Sequence, residues 1–441
     1  MAKFYDREKE LQALEEIERN SLSYANFTVI TGRRRIGKTT LLKKYIEDKN
    51  SCYLFTTRSS ESVLCQQWQE TLEKTINLKV FGKLTHLSDL FEQVMLYSKQ
   101  VHFVLVIDEF QELQRVNSSF FSQMQNIWDN NKDDSKINLI VCGSAYSMMV
   151  KIFEDSKEPL FGRNTANFNL KPFRPSVCKQ ILKDYNPSYT NEDLLCLYTL
   201  SGGIAKYIFL LMETGNTTKE KMLDYVTSIT SPFLTDGKEI LVSEMGKEYG
   251  VYFSILTLIS RGMTTQAEID SIIQKNTGAY LSYLEKVFGV IKPIKPLFAK
   301  AESRNARWQI TDCFMRFYFK FIYSNQALIE LGQLDVLKNI IINEYETYTG
   351  QILEEYFAAK ISEEKRLTKL GRWWDRKGEN EIDIIAINDL DKTCDIYEVK
   401  RQSKRLSSAK LLDKTEVFKS KVMPELEAYN INQIGLSMDD M

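Results

Sequence analysis

A stretch near the start of the chain has the residue types and spacing of a phosphate-binding loop. Residues 32–39 read G-R-R-R-I-G-K-T, which fits the pattern G-x-x-x-x-G-K-[ST], and they follow the apolar run 27–30. The two glycines let backbone N–H groups close around phosphate oxygens, which a side chain at either position would obstruct. We expect Lys38 to reach the β- and γ-phosphates of ATP and the Thr39 hydroxyl to ligate Mg²⁺. The nucleotide-binding residues predicted here are Gly32, Arg33, Arg34, Arg35, Ile36, Gly37, Lys38, Thr39 and Thr40.

Two carboxylates follow the apolar run 104–107 and supply the second half of an ATP site. Asp108 would hold Mg²⁺ through the water shell of the metal, because Mg²⁺ keeps several waters when it binds protein. Glu109 would orient and polarise the attacking water. An Asp-Glu pair after a strand is by itself more readily a helix N-cap, but its pairing with the upstream loop in one α/β unit favours the catalytic interpretation.

Two further polar residues could sense or neutralise the transferred phosphate. Ser144 follows the apolar run 139–142 and stands where a polar sensor of the γ-phosphate is expected. Arg163, in the sequence P-L-F-G-R, could neutralise charge in the transition state, either within one molecule or on a neighbouring one. A surface cation is the alternative interpretation of Arg163.

A second cluster of carboxylates and lysine lies near the C-terminus. Alternate residues of a strand share a face, so Glu398 and Lys400 are expected to project together. A turn around residues 388–391 would bring Asp383, on the preceding strand, beside them. Asp383, Glu398 and the Val399 carbonyl could then hold Mg²⁺ or Mn²⁺, and Lys400 could orient a water that attacks a phosphodiester. The alternative is a charged strand without chemistry, because the E-x-K spacing is common.

The elements that must position these residues suggest an α/β protein of four segments. Residues 1–170 alternate strands and helices with near-continuous apolar strands, as in a parallel sheet covered on both faces. Residues 171–243 have a helical pattern and form the predicted lid. Residues 244–325 combine three helices with two extended runs, which is typical of a winged helix-turn-helix. Residues 326–441 hold a helix, three strands and a long charged helix, and so predict a small α/β domain.

The predicted recognition helix of the winged segment carries few basic residues. Residues 277–284 present mainly serine, tyrosine and small side chains, whereas DNA-reading helices normally present arginine, lysine, asparagine or glutamine. The following hairpin is more basic, so phosphate contacts are expected there rather than readout of base sequence. Its cationic residues are Lys292, Lys295, Lys300, Arg304 and Arg307.

Composition excludes several other chemistries. The 441 residues carry a net charge of −1, so a basic surface for nucleic acid must be local. Seven cysteines without C-x-x-C spacing argue for reduced thiols and against a zinc ribbon, and two histidines exclude a multi-histidine zinc site. No apolar run is long enough to span a bilayer and no signal sequence is evident, so we expect a cytoplasmic protein.

Further motifs resemble those of one known family. They are F-Y-D-R-E-K-E-L at residues 4–11, G-S at 143–144, P-L-F-G-R at 159–163, S-G-G-I-A-K-Y at 201–207 and I-T-D-C-F-M-R-F at 310–317. Together with the phosphate loop and the Asp108-Glu109 strand, they resemble successive motifs of the archaeal-type P-loop ATPase family, which lies near the STAND and AAA+ classes. The resemblance implies that Arg7 and Glu8 lie near the adenine and that the Gly202-Gly203 helix forms a lid over the nucleotide. The family usually has proline where Ala205 stands.

The C-terminal cluster resembles the core of PD-(D/E)xK nucleases. In that family a glutamate on a helix commonly completes the site, and Glu354 matches its position best, with Glu355 as the alternative. The resemblance implies catalytic roles for Glu354, Asp383, Glu398 and Lys400, with Asp383 and Glu398 as metal ligands. The same fold also binds nucleic acid or docks to partners without cleaving anything.

The sequence thus favours a cytoplasmic ATPase that uses ATP and Mg²⁺ and acts as a switch controlling a nuclease-like domain, with DNA as a candidate partner. The alternative is a non-cleaving ATP-dependent regulator or scaffold that binds DNA or protein. A homo-oligomer remains open, and no membrane partner is expected.

Overall fold

A computed structural model describes residues 3–143, 146–245, 249–300, 306–375, 378–422 and 425–441. The chain divides into two compact units, Met1–Lys171 and Pro172–Met441. The predicted boundaries after residues 243 and 325 both fall inside the second unit. In the part of the chain described here, none of the helices has both the length and the apolar character needed to cross a bilayer.

The first unit is built on a five-stranded parallel sheet. Its strands are β1 (Asn26–Gly32), β2 (Ser51–Phe55), β3 (Phe103–Asp108), β4 (Ile137–Cys142) and β5 (Ala166–Leu170), in the order β2-β3-β4-β1-β5. Its helices are α1 (Glu8–Ser21), α2 (Lys38–Tyr45), α3 (Glu61–Ile76), α4 (Leu87–Ser98), α5 (Leu113–Val116), α6 (Phe120–Asn131) and α7 (Tyr146–Glu154). This architecture confirms the predicted α/β fold class.

The sheet is buried because its strands are apolar on both faces. One face packs into a core that contains Phe27, Val29, Leu105, Ile107, Leu139 and Val141. The other face packs into a second core that contains Ile30, Val104, Val106, Ile140 and Cys142. Strand β5 was missed in the sequence because it lies at the sheet edge, where only its last residue is buried.

The second unit begins with five helices, as the sequence predicts for this segment. They are α8 (Pro175–Tyr185), α9 (Asn191–Ser201), α10 (Ala205–Glu213), α11 (Lys219–Val226) and α12 (Asp236–Met245). Helix α9 ends at Gly202-Gly203, and both glycines have positive φ. A Cβ on Gly203 would lie 2.2 Å from the Phe173 carbonyl oxygen, so only glycine fits there.

Three helices and an antiparallel strand pair follow, in the order of a winged helix. These are α13 (Tyr249–Ser260), α14 (Gln266–Ile273), α15 (Gly278–Lys286), β6 (Ile291–Ile294) and β7 (Arg307–Ile310). Helix α14 starts at a capping box in which the Thr265 hydroxyl accepts from the Glu268 N–H and the Glu268 carboxylate accepts from the Thr265 N–H. These two hydrogen bonds satisfy N–H groups at the start of the helix that would otherwise lack a partner within it.

The unit ends in a mixed four-stranded sheet flanked by long helices. Its helices are α16 (Cys313–Phe317), which runs into a π-helical turn (Tyr318–Ile322), then α17 (Gln326–Glu330), α18 (Leu334–Glu364) and α19 (Ser408–Val422). Its strands are β8 (Lys369–Trp374), β9 (Glu381–Asn388), β10 (Thr393–Lys400) and β11 (Asn430–Ser437), in the order β11-β10-β9-β8. Strand β11, which sequence reasoning missed, pairs parallel to β10, and the other neighbours pair antiparallel.

Candidate functional site

The loop between β1 and α2 has the backbone shape of an anion cradle. Gly32 has a φ of +148°, and a Cβ there would lie 2.9 Å from the Leu170 carbonyl oxygen. Gly37 caps helix α2 with a φ of +99°, so the free N–H groups of the first helical turn face the loop. Ile36 is buried in the core, so only its backbone is available to a ligand. The loop therefore offers oriented N–H groups at the positive end of a helix.

The Lys38 side chain is buried within this loop. Its Nζ donates to the Gly32 carbonyl oxygen at 2.8 Å and to the Arg33 carbonyl oxygen at 3.0 Å. Burial lowers the pKa of Lys38, and the negative charges of Glu109 and Asp108 oppose that change. Phosphate oxygens are better partners for this ammonium group than neutral carbonyls, because charge-assisted hydrogen bonds are the stronger kind.

Four donors fix the Asp108 carboxylate at the end of β3. Thr39 Oγ1 donates to Oδ2 at 3.1 Å, and the Tyr53 hydroxyl donates to the same oxygen. Cys142 Sγ lies 2.9 Å from Oδ1, and the Glu109 N–H donates to Oδ1 at 2.8 Å. The phosphate loop and the acid of the neighbouring strand therefore meet, in the relation that a shared Mg²⁺ requires.

Sequence reasoning missed Tyr53 and Cys142. Strand β2 carries Tyr53 beside β3, and the β3–β4 register pairs Ile107 with Val141, which places Cys142 opposite Asp108. Burial raises the pKa of both groups, and the Asp108 charge adds to the rise, so both stay protonated and donate. Their only sequence signal is a polar side chain near the carboxyl end of a strand, which does not reveal a partner.

Glu109 is held next to Asp108 by the turn that follows β3. It adopts a left-handed conformation with φ of +52° and caps the short 3-10 helix Phe110–Glu112. The Gln111 amide donates to the Glu109 carboxylate, and Gln111 itself is fully buried. A Cβ on Gly143 would lie 2.2 Å from the Gln111 side-chain oxygen, so this glycine makes room for the amide. Gln111 is thus a positioning residue that the sequence did not single out.

Arg7 lies at the carboxyl ends of the strands, as the phosphate loop does. Its Nη2 donates to the Lys171 carbonyl oxygen at 2.6 Å, and its Nη1 lies 3.2 Å from Glu10 Oε1. Lys171 directly follows Leu170, which pairs with Gly32 in the β1–β5 register. This position is compatible with the predicted contact to adenine, which stays a prediction. Thr39 and Thr40 have exposed side chains at the start of α2.

Arg163 lies near the amino ends of the strands, whereas the phosphate loop lies at their carboxyl ends. Its Nη2 is 3.1 Å from Asp129 Oδ2, and two residues later the Thr165 N–H donates to the Phe27 carbonyl oxygen near the start of β1. Five residue steps along β1, about 16 Å at the usual rise, separate Phe27 from Gly32. The structure therefore does not bring Arg163 to the phosphate loop of its own chain. Ser144, the predicted sensor, falls outside the described residues.

The C-terminal cluster comes together as the strand pairing predicts. Lys400 Nζ lies 3.5 Å from Asp383 Oδ2, 3.6 Å from Glu398 Oε1 and 3.1 Å from the Val399 carbonyl oxygen. The Val399 N–H donates to Asp383 Oδ2 at 2.8 Å, and Lys414 Nζ is 3.4 Å from Glu398 Oε1. Over the described part of the chain, no group of three or more His, Cys, Asp or Glu side chains is arranged to hold a metal. In the structure both carboxylates, Asp383 and Glu398, are paired with lysine ammonium groups.

The neighbouring glutamates of α18 have different surroundings. Glu354 Oε2 lies 2.8 Å from Arg372 Nη2, and burial raises the pKa of Glu354 to about 8 against the Arg372 charge, with Asp383 contributing to the rise. Glu355 instead accepts from Nη1 and Nη2 of Arg316 at 2.6 and 3.0 Å and from the Gln309 amide at 2.6 Å. Of the two glutamates, only Glu354 faces the Asp383 cluster.

Loop, lysine, strand acid and sheet order together define a P-loop ATPase domain of the α/β class. Residues 4–211 match the family described as an ATPase domain predominantly from Archaea. An uncharacterised protein of Methanocaldococcus jannaschii is 31% identical over 407 residues, which cover 90% of this chain and 87% of that protein. The chain belongs to this archaeal-type P-loop ATPase family. Residues 318–412 match a second family, of archaeal and bacterial proteins of unknown function.

Solved structures share the fold, and two of them serve as examples. The Walker-type ATPase PABY2304 of Pyrococcus abyssi has 18% identity and a TM-score of 0.54 over 72% of this chain and 96% of its own. The ORC2 protein of Aeropyrum pernix, solved in ADPNP and ADP complexes, has 14% identity and a TM-score of 0.50 over 75% of this chain and 96% of its own. At these identities the likeness concerns the fold alone.

Proposed function

We propose that the N-terminal unit binds ATP with Mg²⁺ and hydrolyses it. The observation that carries this proposal is the Thr39–Asp108 hydrogen bond beside the buried Lys38, which joins the phosphate loop to the strand acid. Lys38 and the loop N–H groups would hold the phosphates, and Thr39 and Asp108 would hold the metal. Glu109 would orient the attacking water. The match of residues 4–211 to an ATPase domain family supports ATP as the ligand.

Two substitutions separate binding from turnover. Lys38→Ala should abolish binding of a fluorescent ATP analogue, and Glu109→Gln should retain binding but slow phosphate release about 10²- to 10⁴-fold, as for loss of a general base. Lys43→Ala is the matched control, because Lys43 lies on the same helix with an exposed side chain. Unchanged ATP affinity in Lys38→Ala would contradict the proposal.

The finer part of the proposal is that nucleotide state controls a nuclease-like C-terminal domain. Asp383, Glu398 and the Val399 carbonyl converge on the Lys400 ammonium group within 3.1–3.6 Å, so a cation is already favoured at this point. These are hard oxygen donors, which suit Mg²⁺ or Mn²⁺. When bound there, the metal would activate a water toward a phosphodiester, and Lys400 would orient that water.

A contact within the second unit offers a route for this control. Arg401, which directly follows Lys400, pairs with Glu192 on α9 and donates to Thr349 Oγ1 at 2.5 Å. A movement of the helical segment that displaced Glu192 would therefore act on the end of strand β10, where the cluster lies. Glu192→Gln should weaken the effect of ATP on cleavage or on nucleic-acid binding, while the rate of ATP hydrolysis stays at the wild-type value.

Cleavage is tested on the purified protein with single- and double-stranded DNA and RNA, with Mg²⁺ or Mn²⁺ and with or without ATP. Asp383→Ala and Lys400→Ala should each stop metal-dependent cleavage. Lys410→Ala serves as the control, because Lys410 is an exposed lysine of α19 in the same domain. A wild-type protein that cleaves none of these substrates would contradict the nuclease part.

A second candidate function is a non-cleaving ATP-dependent regulator. It is favoured by the ion pairs that occupy the cluster, since Glu398 contacts both Lys400 and Lys414. In such a regulator the same variants would change nucleic-acid or protein binding and no product would form. ATP turnover with and without DNA distinguishes a slow switch from a DNA-stimulated enzyme.

A further inference from the structure

A cleft of about 750 Å³ opens directly on the Asp383 cluster. One wall comes from the nuclease-like domain and includes Glu354, Arg372 and Asp383. The opposite wall comes from the winged segment, namely the start of α14 and strand β7 with Trp308 and Gln309. A ligand that reaches Asp383 through this cleft therefore passes between the two walls.

The winged wall is fixed to the nuclease-like domain at two places. Arg307 of β7 lies 3.1 Å from Glu381 Oε1, and its guanidinium group lies 4.4 Å from the centre of the Trp374 ring. On the far side of the hairpin, the Leu297 N–H donates to the Arg372 carbonyl oxygen at 2.8 Å. Phe298 packs against Phe418 with ring centres 6.1 Å apart.

These contacts change the expected role of the hairpin. The sequence predicts phosphate contacts from its cations, but Arg307 is engaged with Glu381 and Trp374 instead. Residues 297 and 298 pack against the hydrophobic core of the C-terminal domain. Arg304 falls outside the described residues. The hairpin therefore packs against the C-terminal domain and lines the cleft, and it does not extend freely into solvent as a DNA-binding wing would.

The size and lining of the cleft select one class of ligand. Its volume lies within the range of about 300–1,000 Å³ that is usual for small-molecule sites. A duplex keeps its bases stacked inside the helix, so they cannot lie on a protein ring unless they are flipped out. The bases of a single strand can stack on an aromatic ring while its phosphates meet cations. Trp308 supplies the ring. Arg372 and Lys414 supply the cations, and phosphates would have to compete for them with their present partners, Glu354 and Glu398.

We propose that the cleft between the winged segment and the nuclease-like strands binds single-stranded nucleic acid, with a base stacked on Trp308 and the backbone led to Asp383. This inference rests on the proposed nuclease-like function and names its substrate class. The amide of Gln351, also in the lining, is in a position to contact a base edge. DNA and RNA share the chemistry used here, so both are tested.

The experiment measures fluorescence anisotropy of labelled 12-nucleotide DNA and RNA strands and of a matched duplex, on the Lys400→Ala protein, in which cleavage is silent. Single strands should bind at least tenfold more tightly than the duplex. Trp308→Ala should weaken that binding by about 5- to 150-fold, which corresponds to about 1–3 kcal/mol for one stacked base. Trp308→Phe should retain most of the affinity, because phenylalanine also presents a stacking face.

Tyr283→Ala is the matched control, because Tyr283 is an exposed aromatic residue on α15, the predicted recognition helix. Loss of binding in Tyr283→Ala with no effect of Trp308→Ala would overturn the inference, as would duplex bound as tightly as single strand. Both results leave the proposed function standing. Absence of binding by every probe, together with absence of cleavage by the wild-type protein, would instead overturn the nuclease-like proposal and this inference with it. Thermal unfolding confirms that each variant is folded.

Discussion

Removing one oxygen atom from the ATP site should separate Mg²⁺-dependent hydrolysis from nucleotide binding. Tyr53→Phe deletes the hydroxyl that donates to Asp108 Oδ2 and keeps the ring. The same oxygen still accepts from Thr39 at 3.1 Å, and the other oxygen still accepts from Cys142 and from the Glu109 N–H. The carboxylate therefore stays in place but loses one of its four donors.

The size of the effect follows from the kind of bond that is lost. A hydrogen bond to a charged group contributes about 1.5–3 kcal/mol, and we expect the lower end because three donors remain. Loss of an outer-shell partner of a metal ligand typically costs about 10- to 100-fold in metal affinity or activity. Tyr53→Phe should therefore shift the Mg²⁺ dependence of ATP hydrolysis by about tenfold. ATP affinity without Mg²⁺ should not change, because Lys38 and the loop are intact.

The assay is phosphate release as a function of Mg²⁺ concentration, with binding of a fluorescent ATP analogue in EDTA as the second readout. Tyr24→Phe is the matched control, because Tyr24 is an exposed tyrosine of the same unit. A Tyr53→Phe protein with the Mg²⁺ dependence of the wild type would refute the assignment of Asp108 as the metal-holding acid. Equal losses with and without Mg²⁺ would show that the tyrosine only supports the fold.

Three further predictions concern the second unit. Arg316→Met should lower the free energy of unfolding by about 3 kcal/mol in chemical denaturation, the low end for a buried pair, because it leaves the half-buried Glu355 without its bidentate partner. The raised pKa of Glu354 means that the folded state binds the proton of this carboxyl more tightly than the unfolded state does. Protonation of Glu354 therefore stabilises the folded state fully below about pH 4.5, and this stabilisation is lost as the pH rises toward about 8. Glu354→Gln should therefore flatten the pH dependence of stability in that range, and an unchanged slope would contradict the assigned pKa. Gly203→Ala should yield less folded protein, measured by circular dichroism, because its Cβ would lie 2.2 Å from the Phe173 carbonyl oxygen.

Much of the fold could be predicted because its signals are local. The apolar runs 27–30, 104–107 and 139–142 lie in strands β1, β3 and β4, as the sequence predicts. Strands β5 and β11 could not be predicted in the same way. Both lie at sheet edges with partly exposed residues, so their hydrophobic pattern is weak, and pairing with a neighbouring strand defines them.

In the candidate sites too, the features that could not be predicted are those that depend on tertiary contacts. The choice between Glu354 and Glu355 depends on packing, because neighbouring helical residues point about 100° apart and either can face the cluster. Arg163 follows a conspicuous motif, but the pairing of Thr165 with Phe27 places it at the far edge of the sheet. Tyr53 reaches Asp108 only through strand register.

The sequence by itself determined the phosphate loop, the two acids at the end of β3 and the order of the helices and strands other than β5 and β11. Each of these depends on the conformational freedom of glycine, on the start of a helix or on a short hydrophobic repeat, and such properties act over a few neighbouring residues. Only the tertiary structure decided which side chains fix Asp108, which glutamate of α18 faces Asp383 and where the winged hairpin docks. These features join residues far apart in the chain, and the register of strands and the packing of side chains set their contacts.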